Sequence, residues 1–411
     1  MTPDPAPLTS EHLTCPFATD AWLRAESPVH HVAEENVWLV TRYDDIQEAL
    51  RHPERFSNRF GRVIRSRDRL TPDALRILGE GWEPVDTLFT TDPPEHRRFR
   101  GLVNKAFTAR RVAGMGGYIR EVTDRLLDEL LRTPGPTDLV ETFAIPLPLT
   151  VIADQLGVPR QDLPLFKRWS QAVVAELSRL ATPDEQVISA RNYLEFQRYF
   201  HERIEERRAE PRDDILSDLV HAGSDEEGEH PLDDRELLMT LTQLLVAGNE
   251  TTTNGIASAV LRLTSEPGLQ DRLRAHPDRI PDLVEETLRL EAPIQAMWRI
   301  AAQDVELGGV TIPTGAVVML RYTSGNRDGS HYECPEEFDL DRANSRDHLA
   351  FGGGIHFCVG AALARSEMTI ALEALLGHTS DVRLVPDQEL EYPAHQLIRG
   401  LQRLEVELAP R

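Results

Sequence analysis

Phe351-Gly-Gly-Gly-Ile-His-Phe-Cys-Val-Gly360 is the stretch of the chain from which its fold can be inferred. It places Cys358 on a glycine-rich turn directly ahead of a helical pattern over residues 361–376. Glycines let backbone amides approach a ligand or a sulfur closely, and the partial positive charge of a helix N-terminus stabilises a thiolate. The segment therefore predicts an activated cysteine, which by itself could be a nucleophile, a redox sensor or an iron ligand.

The composition is that of a globular protein with an acidic surface. The chain has 411 residues, of which 40% are hydrophobic and 27% charged, and its formal net charge is −23. This balance argues against a nucleic-acid partner, because attraction to phosphate needs net or clustered positive charge. The sequence has neither a signal-peptide pattern nor an apolar run of membrane-spanning length. Its three widely spaced cysteines are typical of a reducing compartment, so we expect a cytoplasmic protein that binds no membrane.

Helical patterns dominate the chain, and strand signals are short and peripheral. Residues 37–41 read as a strand, and a helical pattern over 43–50 follows at once. The segments 308–320, which carries turn residues, and 401–408 both alternate in polarity and predict strands, the former as strand pairs. The acidic segment 223–230 reads as an exposed connection between helices. These patterns predict a mainly α fold with small β-sheets.

One long helical pattern, over residues 232–263, has an unusual interior. Asp233 and Asp234 are candidate N-caps, and the middle of the pattern carries two glycines, three threonines and a glutamate. These residues weaken a helix, and a buried glutamate is unfavourable unless it is paired. The segment could simply bulge toward solvent, but broken local rules often mark function. The functional interpretation is that Glu250 and Thr251 deliver protons beside a bound oxidant.

Two further motifs carry weak signals when taken alone. Glu286 and Arg289 are spaced i, i+3 on a helical stretch and can form an ion pair on one face. The segment 91–100 reads as a helix start with Asp92 as its cap. His96 and Arg100 then fall at i, i+4, where they could bind a carboxylate or phosphate. Each motif alone also fits an ordinary surface.

Together these segments resemble the soluble bacterial cytochromes P450, a family of haem-thiolate monooxygenases, over essentially the whole chain. The motifs that carry the resemblance occur in the family's order, as Asp92-Pro-Pro-Glu-His96, Ala247-Gly-x-Glu-Thr-Thr252, Glu286-x-x-Arg289 and Phe351-Gly-x-Gly-x-His-x-Cys-x-Gly360. The resemblance implies a single domain over residues 1–411, with a β-containing N-terminal part of about 1–90 and a helix-rich remainder. In that fold the haem lies between the long central helix and the helix that follows the cysteine loop.

The resemblance also implies how a haem would be bound. Cys358 would be the proximal thiolate ligand of the iron in haem b, a ligand that pushes electron density toward O–O cleavage. Phe351 would pack near this thiolate. The residues that match the family's propionate-binding positions are His96, Arg100, Arg299 and His356.

Two other sets of residues match positions in the family with different roles. Glu250 and Thr251 match the catalytic acid–alcohol pair, which delivers protons during oxygen activation. The family's buried charge triad, which holds the fold and takes no part in the chemistry, is matched by Glu286, Arg289 and Arg342.

A monooxygenase of this family would insert one atom of O2 into a C–H or C=C bond of a small lipophilic substrate, such as a fatty acid, terpenoid or polyketide. The sequence contains no flavin or iron–sulfur motif, so electrons from NAD(P)H would arrive through a separate ferredoxin and ferredoxin reductase. Several arginines match the face on which such a partner would dock, namely Arg97, Arg98, Arg110, Arg111 and Arg365.

The sequence leaves other kinds of function to be weighed. A zinc site is disfavoured because Cys358 and His356 have no further ligands at zinc-site spacing. A cysteine hydrolase is disfavoured because apolar Phe357 and Val359 flank the thiol. Two alternatives within haem chemistry stay open, an enzyme of oxidative coupling or peroxygenation and a non-catalytic haem-binding protein, although a carrier would need no acid–alcohol pair.

Overall fold

The computed structural model describes residues 7–64, 70–178, 181–223 and 230–411, which divide into two compact units. The first unit takes in the described parts of Met1–Ser57, Met115–Leu147 and Thr251–Arg411. The second takes in those of Asn58–Gly114 and Pro148–Glu250. Most of the predicted exposed connection 223–230 lies outside the described residues.

Helices account for most of the described chain, as the sequence predicted. In chain order, the α-helices are Ser10–Thr14 (α1), Phe17–Glu26 (α2), Tyr43–Arg51 (α3), Gly61–Ile64 (α4), Pro72–Leu78 (α5), Glu95–Ala106 (α6), Ala109–Gly114 (α7), Gly116–Leu131 (α8), Pro146–Gln155 (α9), Leu163–Ser178 (α10), Pro183–Ala209 (α11), Ile215–His221 (α12), Asp234–Ser265 (α13), Leu269–Ala275 (α14), Ile280–Leu290 (α15), Tyr322–Gly325 (α16) and Ala361–His378 (α17). A π-helical turn, Val140–Ala144, precedes α9. None of the described helices is long and apolar enough to cross a membrane.

The strands are short and belong to the first unit. They are Val29–Val32 (β1), Val37–Val40 (β2), Phe56–Ser57 (β3), Thr137–Asp138 (β4), Met297–Ala301 (β5), Val305–Leu307 (β6), Val310–Ile312 (β7), Val317–Leu320 (β8), Thr379–Leu384 (β9) and Glu405–Pro410 (β10). They form a five-stranded sheet in the order β1-β2-β8-β5-β3, a three-stranded sheet β4-β10-β9 and a hairpin β6-β7.

The five-stranded sheet provides the core of the first unit. Two of its three inner strands, β2 and β8, pair in parallel, with Val37 opposite Val317. Both are nearly continuous apolar runs, as expected of strands covered on both faces. Helix α3 packs against this sheet through an apolar stripe that includes Ile46 and Leu50. Leu50, near the carboxyl end of α3, therefore lies in the core, and its main-chain carbonyl faces Gly354.

Aromatic side chains hold the helices of the second unit together. Phe166 and Trp169 on α10 meet Phe196 and Phe200 on α11, with ring centroids 5.9 to 6.4 Å apart. All four side chains are fully buried, and Trp169 approaches Phe196 edge to face, a favourable arrangement for aromatic pairs. This packing fixes the side of α10 from which Ser170 projects.

Helix α13 confirms the predicted long helix and shows why its interior tolerates glycine. Asp233 caps it with a reciprocal pair of hydrogen bonds: the Glu236 amide donates to Asp233 Oδ1 (2.8 Å), and the Asp233 amide donates to Glu236 Oε2 (3.1 Å). A Cβ at Gly255 would lie 2.9 Å from Met368 Sδ on α17. The glycine therefore permits the two helices to pack closely.

Two sequence-based predictions about local structure are wrong. The strands within 308–320 do not pair with each other: β7 pairs with β6, whereas β8 joins the five-stranded sheet. Asp92 does not cap α6 through its side chain, because the carboxylate accepts from the Asn58 amide at 2.8 Å and the N-cap position is Pro94. In both cases a tertiary contact outweighs the local signal.

Candidate active site

The cysteine loop presents an accessible thiol at the start of a long helix. Cys358 is half-buried, and α17 begins three residues later, at Ala361. The Cys358 amide donates to the Phe351 carbonyl (3.0 Å), which closes the loop. Gly352 and Gly354 adopt left-handed φ values of 65° and 63°, which favour glycine. The glycines of the motif are therefore required by the backbone, and the thiol lies within the positive end of the helix dipole.

Aromatic and charged side chains support the loop from the protein side. The Phe351 ring lies 6.2 Å from that of Phe357, and the Arg365 guanidinium lies 4.4 Å from the Phe351 ring centroid, within cation–π range. Arg365 donates to both oxygens of buried Glu285, at 2.6 and 2.9 Å, and His348 Nε2 lies 3.1 Å from Glu285 Oε2. Arg365, predicted to lie on a docking surface, is thus held by a buried carboxylate.

Arg299 is buried on β5 and is linked to the loop through a tyrosine. Its Nη1 donates to the Trp298 carbonyl at 2.7 Å, and it donates a further hydrogen bond to the hydroxyl of Tyr322. Burial raises the pKa of Tyr322, so this side chain is a neutral phenol. The Tyr322 hydroxyl would lie 3.5 Å from a Cβ at Gly352, which connects Arg299 to the start of the loop.

The other predicted propionate-binding residues lie in both units. His356 is half-buried in the 3-10 turn Gly354–His356 of the first unit. In the second unit, His96 is buried on α6 with Arg100 one turn later. Burial, and then the neighbouring Arg100, lower the pKa of His96, so it is a neutral donor close to a permanent cation. This arrangement suits recognition of an anionic group.

Helix α13 has an accessible face in the middle of its buried length. Ala247 is exposed and Glu250 and Thr251 are half-buried, whereas the neighbouring Val246 and Thr252 are buried. Spacings of three and four residues place the accessible positions on one face of the helix. The predicted acid and alcohol thus lie on a face that is open to a small molecule.

A polar cluster in the second unit holds the acid. Ser170 Oγ donates to Glu250 Oε1 at 3.0 Å and accepts from Asn249 Nδ2 at 3.3 Å. Burial of the carboxyl raises the pKa of Glu250, although the hydrogen bond from Ser170 and the charge of Lys167 act in the opposite direction. The pKa of Glu250 is therefore shifted in the direction that suits a proton donor.

The predicted charge triad is confirmed, with Glu286 and Arg289 fully buried and Arg342 half-buried. Arg289 Nε and Nη2 donate to the two oxygens of Glu286, at 2.9 and 2.7 Å, and Arg342 Nε donates to Glu286 Oε1 at 3.0 Å. The remaining donors of Arg289 reach the main-chain carbonyls of Asn326, Pro335 and Glu337. The triad thus fastens the irregular segment 326–342 to α15.

These residues fit a haem by their chemistry. An accessible cysteine at a helix N-terminus can supply a thiolate to iron, and Arg100 and Arg299 are cations of the type that bind carboxylates. The glycine loop keeps side-chain bulk away from the sulfur: a Cβ at Gly360 would have Cys358 Sγ, 3.9 Å away, as its nearest neighbour. A mainly helical fold with this loop defines the haem-thiolate class of proteins.

Comparison with known proteins gives the family. The family model of cytochrome P450 matches residues 28–281 and 280–398. The chain is 40% identical over 387 residues to cytochrome P450 107B1 of Saccharopolyspora erythraea, an alignment that covers 93% of this chain and 92% of that protein. It is 38% identical over 400 residues to the vitamin D(3) 25-hydroxylase of Pseudonocardia autotrophica, covering 96% of this chain and 94% of that protein.

A solved structure shows the same fold. The crystal structure of CYP109E1 from Bacillus megaterium in complex with testosterone has a TM-score of 0.82 and 35% identity, covering 95% of this chain and 99% of that one. The chain belongs to the cytochrome P450 family. It is a haem-dependent monooxygenase.

Sequence reasoning missed several residues that complete the site. Ser170 gave no signal, because one serine in a helical pattern does not show which side chain it will contact. Tyr322 and Glu285 were missed for the same reason. One available hint was that two adjacent glutamates, Glu285 and Glu286, occur on a helix that is rich in apolar residues.

Proposed function

We propose that this chain is a cytoplasmic, ferredoxin-dependent monooxygenase that hydroxylates or epoxidises a lipophilic natural product, with Cys358 as the haem ligand. The observation that carries the proposal is the accessible Cys358 at the start of α17, on a loop closed by the hydrogen bond from its own amide to Phe351. Thiolate-ligated haem supplies the activation of O2 needed to transfer one oxygen atom to carbon.

The remaining roles follow from the donors and acids of the two units. Arg299 and His356 in the first unit, and His96 and Arg100 in the second, would bind the haem propionates. Phe351 would pack near the thiolate. Glu250 would donate a proton and Thr251 would orient it.

The substrate class is inferred from similar proteins and from the accessible face of α13. One similar protein is a vitamin D(3) 25-hydroxylase, and another has a solved structure in complex with testosterone. These similarities favour a bulky, lipophilic substrate of sterol size. Ala247, a small residue on the accessible face of α13, leaves space for such a molecule. We expect a spectral titration of the haem-bound protein to show a Soret shift at lower concentrations of sterols and macrolides than of hydrophilic sugars. A shift confined to the sugars would contradict this substrate class.

Removing the acid or the alcohol of α13 should separate oxygen consumption from product formation. Glu250→Gln removes a proton donor, and general acids contribute about 10²–10⁴-fold to rate, so product formation should fall by at least ~10²-fold. Thr251→Ala should keep NAD(P)H consumption and divert electrons to hydrogen peroxide. Product and peroxide are both measured per NAD(P)H consumed.

A threonine on the same helix provides the control. Thr264 donates to the Val260 carbonyl at 2.9 Å and lies beyond the accessible face. The Thr264→Ala variant should therefore form as much product per NAD(P)H consumed as the wild type. Tight coupling in Thr251→Ala would contradict its proposed role. Normal product formation from added peroxide in the wild type, without reductant, would favour the peroxygenase alternative.

Electrons from NAD(P)H are proposed to arrive through a ferredoxin and its reductase, because no flavin or iron–sulfur motif is present in the sequence. Of the arginines predicted for docking, Arg98 is engaged by Glu236 (2.7 and 2.8 Å) and Arg111 by Asp218. Arg97 and Arg110 are exposed on the second unit. We therefore propose that Arg97 and Arg110 contribute to the surface on which the ferredoxin docks.

Charge reversal at Arg97 and Arg110 should slow reduction by an acidic ferredoxin. Electrostatic steering changes association rates by ~10-fold or more, so the double variant should lose roughly that factor at low salt. Because such steering is screened by salt, the deficit should shrink as ionic strength rises. Stopped-flow reduction is the measurement, with Arg383→Glu, an exposed arginine of the first unit, as control. A salt-independent or absent deficit would exclude these residues from docking.

A further inference from the structure

Glu285 is a buried carboxylate whose partners lie at the two ends of the cysteine loop. It is 3% exposed and follows Val284 on α15. Its neighbour Glu286 belongs to the charge triad. Glu285 instead accepts hydrogen bonds from His348, ten residues before Cys358, and from Arg365, seven residues after it. One carboxylate on α15 thus spans the whole loop.

The His348 contact fixes the state of the imidazole. The Ala350 amide donates to His348 Nδ1 at 3.2 Å, and a backbone N–H can only donate, so Nδ1 carries no proton. The proton is therefore on Nε2, which donates to Glu285 Oε2 at 3.1 Å. His348 is a neutral link that orients the residues immediately before Phe351.

Arg365, which follows the cysteine loop in the chain, connects Glu285 to Phe351 at the start of the loop. Arg365 donates twice to Glu285, in the bidentate geometry that arginine–carboxylate pairs favour. Its guanidinium lies 4.4 Å from the Phe351 ring centroid, and the Phe351 carbonyl accepts from the Cys358 amide. Glu285 is therefore connected to the backbone of Cys358 through three successive contacts, by way of Arg365 and Phe351.

The pair is also balanced in charge. Burial alone would raise the pKa of Glu285, but the hydrogen bonds from His348 and Arg365 outweigh burial and lower the pKa to about 2. At neutral pH the Glu285 carboxylate is therefore ionised and cancels the charge of Arg365. The Arg365 side chain is 31% exposed, so without its partner its charge would be screened less than one in water, because the surrounding dielectric is lower.

We propose that Glu285 is a positioning residue for the cysteine loop and that, by cancelling the charge of Arg365, it sets the reduction potential of the bound haem. The inference rests on the proposed role of Cys358 as the haem ligand. Reduction adds one electron at the iron, so an uncancelled positive charge beside the loop would favour the reduced state.

The test is the reduction potential of purified haem-bound variants, measured by spectroelectrochemistry. Glu285→Gln leaves Arg365 uncancelled and should shift the potential in the positive direction. Arg365→Gln should shift it in the opposite direction. The double variant removes both charges and should return the potential to that of the wild type, whereas a purely structural disturbance would not be rescued by a second substitution.

A second buried glutamate serves as the matched control. Glu291 directly follows the last residue of α15 and accepts from Arg262 at 2.8 Å, and among the described contacts neither side chain touches the cysteine loop. Glu291→Gln should leave the potential unchanged. An unshifted Glu285→Gln protein, or a double variant that keeps the shift, would overturn the inference while leaving the role of Cys358 intact. A wild-type protein without thiolate ligation would instead overturn the proposed function.

If Glu285→Gln does not fold, Arg365→Gln alone still decides the inference. A negative shift in that variant supports charge cancellation by Glu285. An unchanged potential contradicts it.

Discussion

Glu286→Gln is expected to lower the free energy of unfolding by about 3–5 kcal/mol, the usual effect of breaking a buried ion pair from one side. Glu286 and Arg289 are both 0% exposed, and the single carboxylate receives Arg289 and Arg342. Glutamine would keep the shape and leave two arginines without a counter-charge. Because native proteins are stable by only about 5–15 kcal/mol, the variant should lose most of its folded population under mild denaturation.

Urea unfolding of the haem-bound protein measures this effect, with a lower midpoint at unchanged slope as the expected result. The control is Asp73→Asn, which removes an exposed i, i+3 partner of Arg76 at 3.6 Å. An exposed pair of this kind contributes about 0–1 kcal/mol. Similar midpoints for the Glu286 and Asp73 variants would show that the triad does not hold segment 326–342.

Gly354→Ala is expected to prevent the cysteine loop from forming. Gly354 has φ 63°, and a Cβ there would lie 2.1 Å from the Leu50 carbonyl oxygen at the end of α3. The left-handed backbone costs an alanine about 1–2 kcal/mol, and overpacking against fixed backbone adds about 1–3 kcal/mol. Leu50 cannot move aside easily, because α3 is packed on the central sheet.

The loss should appear as weak haem retention and a shortened lifetime of the thiolate-ligated form, followed by absorbance. Gly377→Ala is the matched control, since a Cβ there meets no atom within 4 Å and the residue lies within α17. That substitution should leave haem binding unchanged and stabilise the helix by about 0.5–1 kcal/mol. Equal haem retention in both variants would show that the loop does not depend on its approach to α3.

Motifs with local geometry were predictable from sequence, and tertiary pairings were not. The long helix and the helix after Cys358 follow from periodicity and caps. The Glu286–Arg289 pair follows from i, i+3 spacing, and Arg342 joined it only through resemblance to a family. The glycine pattern likewise predicted the turn ahead of Cys358. Two of its glycines, Gly352 and Gly354, adopt left-handed φ values that few other residues adopt.

The missed features are all choices between partners distant in sequence. Strand β8 pairs with β2, about 280 residues earlier in the chain, and its hydrophobic run would fit several neighbours equally well. Glu285 and Glu286 are chemically identical in the sequence, yet one binds the cysteine loop and the other the triad. Arg98 and Arg365 match the family's docking face in sequence. Their ion pairs with Glu236 and Glu285 could not be predicted, because these acidic partners are remote in the chain.

The most direct test of the central claim is the absorbance spectrum of the reduced protein under carbon monoxide, for the wild type and for Cys358→His. The wild type should show the red-shifted Soret band diagnostic of thiolate ligation, and the variant should show the shorter-wavelength band of histidine-ligated haem. A wild-type spectrum that lacks the red-shifted band, or a Cys358→His spectrum that retains it, would contradict the assignment of Cys358 as the haem ligand.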